Sequence, residues 1–259
     1  MNSFDTVTEL PGNNAHIEQV DALRTRYEWA SGMCDDKEVL EVACGAGVGL
    51  GLLARNAKNV IGGDVDPNVL KYAIQHYNKQ RNIQIMEMDA CNMELADGSI
   101  DCLACFEAIY YFPSLNSFLK EAKRILRPGG VLLISSVNCL WHGFNPSPYS
   151  KKYYSIKELQ SALDDAGFRS DFYVCFEDNP ATFRRYLIGK IRQIAVALKI
   201  VPKTMKGKEF LKKLFYGNLE ALPYEITENH GIPQKLNPYN NGITLKNQKY
   251  FYCAAKVST

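Results

Sequence analysis

The chain has 259 residues, 46% hydrophobic and 22% charged, with a net charge of +2. This is an ordinary globular composition, and the length suits one large domain or a domain carrying a sizeable insertion. No apolar run approaches bilayer-spanning length, and the polar, acidic start Met1–Asn14 lacks the basic-then-apolar pattern of a secretory signal, so the cytoplasm is the expected compartment.

Taken in order, residues 1–36 read as an N-terminal helical cap. Val39–Ala43 is a short apolar strand that runs directly into the glycine-rich turn Cys44-Gly-Ala-Gly-Val-Gly and a helix over Gly47–Asn56. A strand, a tight turn and a helix N-terminus let bare backbone amides approach a nucleotide-type ligand. Asn59–Val65 is a second strand, and Pro67–Lys79 a helix with Asp66 as its N-cap and Pro67 at the first position. Ile83–Asp89 and Asp101–Ala108 are further strands, and Leu115–Leu126 is a helix with one apolar face. Pro128-Gly129-Gly130 turns the chain into a fifth strand, Val131–Val137. Strands that are apolar throughout and alternate with helices indicate a parallel sheet covered on both faces, with ligands at the carboxyl ends of its strands.

Trp141–Tyr154 is an aromatic, proline-containing loop. Ser155–Ala166 is a helix opened by a capping box with Glu158, and Gly167 ends it. Phe168–Phe176 and Tyr250–Val257 are the last two strands. Between them, residues 178–248 form an insertion longer than an ordinary connection, with helices expected at Arg184–Ile200 and Glu209–Tyr216. Residues 184–213 hold ten basic residues and one acid, a local charge of +9 that leaves the rest of the chain at −7. Such a block suits an anionic or carrier-linked acceptor, an anionic membrane surface or a second subunit. Most of the eight cysteines lie in strand-like runs, and Cys102 and Cys105, three apart on a strand, face opposite sides. No metal-ligand cluster stands out, and Asp64-Val65-Asp66 is too short a pattern for one.

A dinucleotide site requires a small residue at the third place of its glycine pattern. Here that place holds Leu50 in one register and Leu52 in the other. Glu41, inside an otherwise apolar strand, is better placed to meet an amine of a ligand. The stretch Val39-Leu-Glu-Val-Ala-Cys-Gly-Ala-Gly resembles the first motif of class I S-adenosylmethionine-dependent methyltransferases. Val60-Ile-Gly-Gly-Asp-Val-Asp-Pro, Met88-Asp-Ala, Phe106-Glu-Ala-Ile-Tyr-Tyr and Leu126-Arg-Pro-Gly-Gly-Val follow in that family's order, so the resemblance covers about residues 20–177. It implies a Rossmann-like doubly wound sheet of seven strands, mostly parallel with an antiparallel last strand, plus a helical insertion between the sixth and seventh. The core would then be 37–177 and 249–259, and 178–248 a basic lid that shapes the acceptor pocket.

The resemblance also implies S-adenosylmethionine as cofactor and S-adenosylhomocysteine as product. Gly45 and Gly47 would line its methionine and ribose, Asp64 would accept from the ribose hydroxyls beside Val65, and Asp89 and Ala90 would meet the adenine. Phe106 would offer its carbonyl to the ammonium, and Tyr27, in Arg26-Tyr27-x-x-Ala30, would meet the carboxylate. The loop from Phe144 resembles loops of glycan and secondary-metabolite methyltransferases, with Tyr149 where related chains often carry histidine. The expected reaction is in-line O-methylation of a small-molecule acceptor such as a sugar or a secondary metabolite. His142 is the first candidate base and Glu107 the second, while Tyr110, Tyr111, Trp141 and Tyr149 are expected to meet the acceptor. A lipid or lipid-linked acceptor, or cofactor binding without catalysis, are the alternatives. No nucleic-acid partner is expected, since no binding module or amide-methylation motif is present. Asp66 reads as a helix cap, Asp101 as a turn residue and His76 as surface, while His16 is either surface or cavity wall.

Overall fold

The computed structural model of this chain describes residues 9–178, 219–240 and 242–257. The basic block at 184–213 and the helices expected at 184–200 and 209–216 lie outside the described residues.

In chain order the elements are β1 (Asn14–His16), α1 (Ile17–Ser31), β2 (Glu38–Val42), α2 (Leu50–Ala54), β3 (Asn59–Asp64), α3 (Pro67–Tyr77), β4 (Ile83–Glu87) and β5 (Ile100–Phe106). After a 3-10 turn at Ile109–Tyr111 come α4 (Leu115–Ile125), β6 (Leu126–Val137), α5 (Ile156–Asp165), β7 (Phe168–Glu177), β8 (Leu219–Ala221), β9 (Asn237–Pro238) and β10 (Gln248–Val257). The main sheet has the order β4-β3-β2-β5-β6-β10-β7-β9. Strands β2 to β6 pair in parallel, whereas β10 runs antiparallel to both β6 and β7. The seven expected strands are all present, and the two-residue β9 adds an edge pairing to β7.

Two apolar layers cover the sheet, as buried strands require. One holds Leu23 and Tyr27 of α1, Leu50 and Leu53 of α2, and Leu70, Ala73 and Tyr77 of α3. The other holds Phe118, Leu119 and Ile125 of α4 with Ile156, Leu159 and Leu163 of α5. Side chains alternate along β2, so Val39 joins the first layer and Leu40 and Val42 the second. Glu41 therefore points to the α1 side. Cys102 and Cys105 are likewise split between the layers.

Among the boundaries that the structure shifts, two matter most. Helix α2 is only Leu50–Ala54, because Gly47 takes a left-handed φ of +71° and the residues before Leu50 remain in the turn. The Pro128–Gly130 turn is absorbed into β6, which begins at Leu126. Register jumps from Ile100↔Leu126 to Cys102↔Val131, with Gly129 at φ +81°. Asp66 caps α3 by accepting from the Asn68 amide, and Ser155 and Glu158 form the expected capping box.

Residues 219–240 fold back over α1. Strand β8 pairs antiparallel with β1, from Asn14↔Ala221 to His16↔Leu219. The Arg24 guanidinium donates to the Thr227 carbonyl at 2.5 Å, Ile232 N–H to Asp21 at 2.7 Å and Gln234 N–H to Thr25 Oγ1 at 2.9 Å. This covering explains why nine residues of α1 are buried although the helix has no single apolar stripe.

Candidate active site

Strand order reverses between β2 and β5, the two parallel neighbours from which the chain winds outward in opposite directions. A cavity of about 530 Å³ opens at their carboxyl ends, where open parallel sheets bind ligands. Two non-glycine residues adopt left-handed backbone at these ends, Ala43 (φ +54°) after β2 and Glu107 (φ +52°) after β5. Such conformations cost energy and recur at functional sites. Both residues line the cavity.

One half of the wall is built from backbone turns. The Asp64 carboxylate, at the end of β3, accepts from Gly45 N–H at 2.8 Å and from Asp66 N–H at 2.9 Å. It thereby ties the second strand to the glycine turn. Burial raises its pKa against the pull of these two amides. From behind, the Tyr77 hydroxyl donates to the Gly47 carbonyl at 2.9 Å and accepts from Gly51 N–H at 3.2 Å. Gly45, Ala46, Val48, Asp64, Val65, Met88, Asp89, Ala90 and Phe106 face the space. Gly47 does not: a Cβ there would come within 2.8 Å of Ala73 Cβ, so this glycine serves helix packing. Leu50, which occupies the place of a dinucleotide site's small residue, fits because Gly62 opposite has no side chain. A Cβ on Gly62 would lie 2.6 Å from Leu50 Cδ1.

The roof is α1. The Tyr27 ring lies so close to Gly49 that a Cβ there would fall 2.0 Å from it. Its hydroxyl donates to Glu41 Oε1 at 2.7 Å. Tyr27, expected to meet a ligand carboxylate, is thus engaged with Glu41. The other oxygen, Glu41 Oε2, is buried without a hydrogen-bond partner among the described residues, as is Arg26 Nε. Both residues line the cavity. Burial pushes the Glu41 carboxyl up to about 7, against the lowering effect of Tyr27 and Arg26. Burial also works against the Arg26 charge, but Glu9, its ion-pair partner, together with Tyr27 and Glu107, overcomes it and raises its pKa.

The remaining wall is aromatic and acidic. Glu107 Oε2 accepts from Val137 N–H at 3.1 Å and from the Tyr110 hydroxyl at 3.3 Å, and Oε1 from Ser135 at 3.4 Å. Burial raises its carboxyl to about 7, opposed by Arg26 and reinforced by Glu9. Tyr110, Tyr111, Phe112 and Tyr250 flank it. Tyr110 is backed by Tyr153, whose ring stacks on it at 4.4 Å. His16 also lines the space; its Nδ1 accepts from Gln19 N–H at the start of α1.

The structure therefore brings Tyr27, Glu41, Gly45, Asp64, Val65, Asp89, Ala90, Phe106, Glu107, Tyr110 and Tyr111 around one space. It does not bring Trp141, His142 or Tyr149 to that wall. His142 is exposed, its Nδ1 lies 2.8 Å from the Lys246 carbonyl and its Nε2 3.3 Å from Asp178. Trp141 donates to the same Asp178 at 3.1 Å. The loop bends toward residues 245–249 because Asn138 Nδ2 donates to the Leu245 and Gln248 carbonyls. Sequence reading missed Glu9, Tyr77, Tyr153 and Tyr250 and gave Arg26 no role. Only Arg26, beside Tyr27, lay within a recognised motif. His76, expected on the surface, pairs with Glu225 at 3.1 Å, and Asp101 pairs with Arg127 at 2.5 Å.

A family profile described as "Methyltransferase domain" matches residues 40–134. A probable S-adenosylmethionine-dependent methyltransferase of Mycobacterium tuberculosis is 30% identical over 148 residues, 55% of this chain and 52% of that protein. A ubiquinone biosynthesis O-methyltransferase of Acinetobacter baylyi is 29% identical over 127 residues, 47% of this chain and 53% of that protein. The chain spans about half the length of the curated relatives it matches. A solved S-adenosylmethionine-dependent methyltransferase of Aquifex aeolicus shares the fold, with TM-score 0.52 and 24% identity over 61% of this chain and 89% of that one.

Proposed function

We propose that this chain is a class I S-adenosylmethionine-dependent methyltransferase that methylates an oxygen of a small-molecule acceptor, with Glu107 as the general base, a reading supported by the family match and the relatives. One observation carries the cofactor assignment. A buried donor, Arg26 Nε, and a buried acceptor, Glu41 Oε2, both lack partners among the described residues and belong to residues that line one cavity. Buried polar groups are almost always paired, so an open donor beside an open acceptor asks for a zwitterion. The amino-acid head of S-adenosylmethionine is one, with its carboxylate for Arg26 and its ammonium for Glu41. The acidic cast of the wall suits the cofactor's net positive charge.

The bound cofactor supplies a methyl group on a sulfonium, already activated for in-line transfer. The chain's own residues then have three tasks. Asp64, held by the Gly45 and Asp66 amides, accepts the ribose hydroxyls, while Val65, Asp89 and Ala90 receive the adenine. Tyr27 and the strand-end backbone at Ala43 and Phe106 close the methionine end and exclude water. Glu107, with a carboxyl near 7, takes a proton at neutral pH and is a better-placed base than the exposed His142. The name of the Acinetobacter relative supports oxygen as the acceptor atom.

Calorimetric titration tests this. S-adenosylmethionine and S-adenosylhomocysteine should bind, and Asp64→Ala should weaken both roughly 30-fold or more, the worth of a charged hydrogen-bonding group. Binding of NADH in their place would defeat the assignment.

A further inference from the structure

Resting on that reading, we propose that the acceptor's reacting group enters as an uncharged hydroxyl on a ring, and that Glu107 turns away carboxylates and phosphates as well as taking the proton.

The charges around Glu107 carry this. Arg26 faces it from α1, Glu9 from the segment before β1, Tyr110 from the turn after β5, and Tyr250 from β10. Arg26 is the only arginine or lysine on the cavity wall among the described residues, and it is already paired with Glu9. Its Nε is matched to the cofactor's carboxylate. His16 is held at the start of α1, its Nδ1 accepting the Gln19 amide. An anion beside Glu107 and Glu9 would therefore meet like charges while the one arginine of the wall is already engaged by Glu9, in a buried space where such repulsion is poorly screened.

The walls fit a neutral ring instead. Tyr110, Tyr111 and Tyr250 present apolar faces, and the stacking of Tyr153 behind Tyr110 fixes that face in place. Glu107 is held from behind by Val137 N–H, Ser135 and Tyr110, a set that orients a carboxylate toward an incoming O–H. In the reaction the acceptor oxygen forms the new O–C bond while the C–S bond breaks, its electron pair leaving on sulfur. The hydroxyl proton passes to Glu107, and every charge is accounted for.

Two measurements test the inference. In the first, the full chain is incubated with trideuteromethyl S-adenosylmethionine and a small-molecule extract of its source cells. Labelled products should survive mild alkali, as methyl ethers do; alkali-labile methyl esters, or labelled amines, would overturn the proposal. The second uses the S-adenosylhomocysteine complex and benzoate as the anionic probe. At pH 8.5, where the Glu107 carboxyl is ionised, Glu107→Gln, checked for folding by circular dichroism, should bind benzoate at least tenfold more tightly than the unmodified chain. Equal benzoate affinity in the two proteins would remove Glu107 as a filter. Binding of S-adenosylhomocysteine is measured first. Its absence refutes the methyltransferase reading, whereas its presence together with ester products refutes only this inference.

Discussion

The two halves of the cavity are built differently. The half assigned to the cofactor is made of strand ends and one glycine turn, cross-tied by Asp64 and Tyr77 through backbone amides and a carbonyl. The half assigned to the acceptor is made of side chains from three separate places: Glu9 before β1, the turn after β5 with Glu107, Tyr110 and Phe112, and Tyr250 of β10. A backbone-built wall depends on local sequence and tolerates little change. A wall of side chains can be rewritten one residue at a time while the sheet beneath it stays the same. One fold can thus keep its cofactor and change its acceptor.

The largest effect that would sharpen this contrast is expected at Glu107. Glu107→Gln should lower kcat on the order of 10²-fold or more, the usual worth of a general base, with cofactor affinity nearly unchanged. In the unmodified chain kcat should rise with pH through about 7 as the carboxyl ionises, and stopped assays across pH 5.5–8.5 should show that limb vanish in the variant. A full-strength variant would break the division of labour between the halves. Next comes Gly49→Ala, which drives a methyl into the Tyr27 ring. Overpacking of this kind costs roughly 1–3 kcal/mol, and denaturant melts should register it together with weaker S-adenosylmethionine binding.

Glu41→Gln tests the electrostatics of the cofactor half. The folded carboxyl is raised to about 7 from 4.5, so between those values the native state holds a proton that the unfolded chain releases. Stability is then full below the unfolded value and is lost as pH rises through about 7. The variant should match the parent at pH 4.5 and exceed it at pH 8, by on the order of 3 kcal/mol, in thermal melts without cofactor. The smallest effect belongs to His142→Ala. Exposed and turned toward Lys246 and Asp178, it should leave turnover within about twofold, since it touches neither half.

The same contrast governs what the sequence disclosed. Order of elements, sheet type and the positions of Gly45, Asp64, Asp89 and Phe106 were legible, because strand periodicity and turn chemistry are local. Gly47 was expected to line the cofactor, yet it faces Ala73, which reaches it only through the packing of α3. His142 was favoured on chemistry and on its place after the fifth strand. Its displacement follows from Asn138, whose amide ties the loop to residues 245 and 248, more than a hundred positions away. Glu9, Tyr153 and Tyr250 left no signal of their own, being single side chains whose meeting depends on how distant elements cross.

Helix α1 has one more consequence, for how ligands come and go. It is gripped from above by Thr227, Ile232 and Gln234, tied at its start to β10 by the Glu18–Lys249 pair at 2.6 Å, and packed below on Gly49. Each of these hydrogen bonds is worth about 1 kcal/mol, so lifting the helix means breaking several at once. The open flank is elsewhere, where Val65 is 42% exposed and Asp89 also meets solvent. Val65 and Asp89, both on the cavity wall, thus mark an approach that needs no movement of α1.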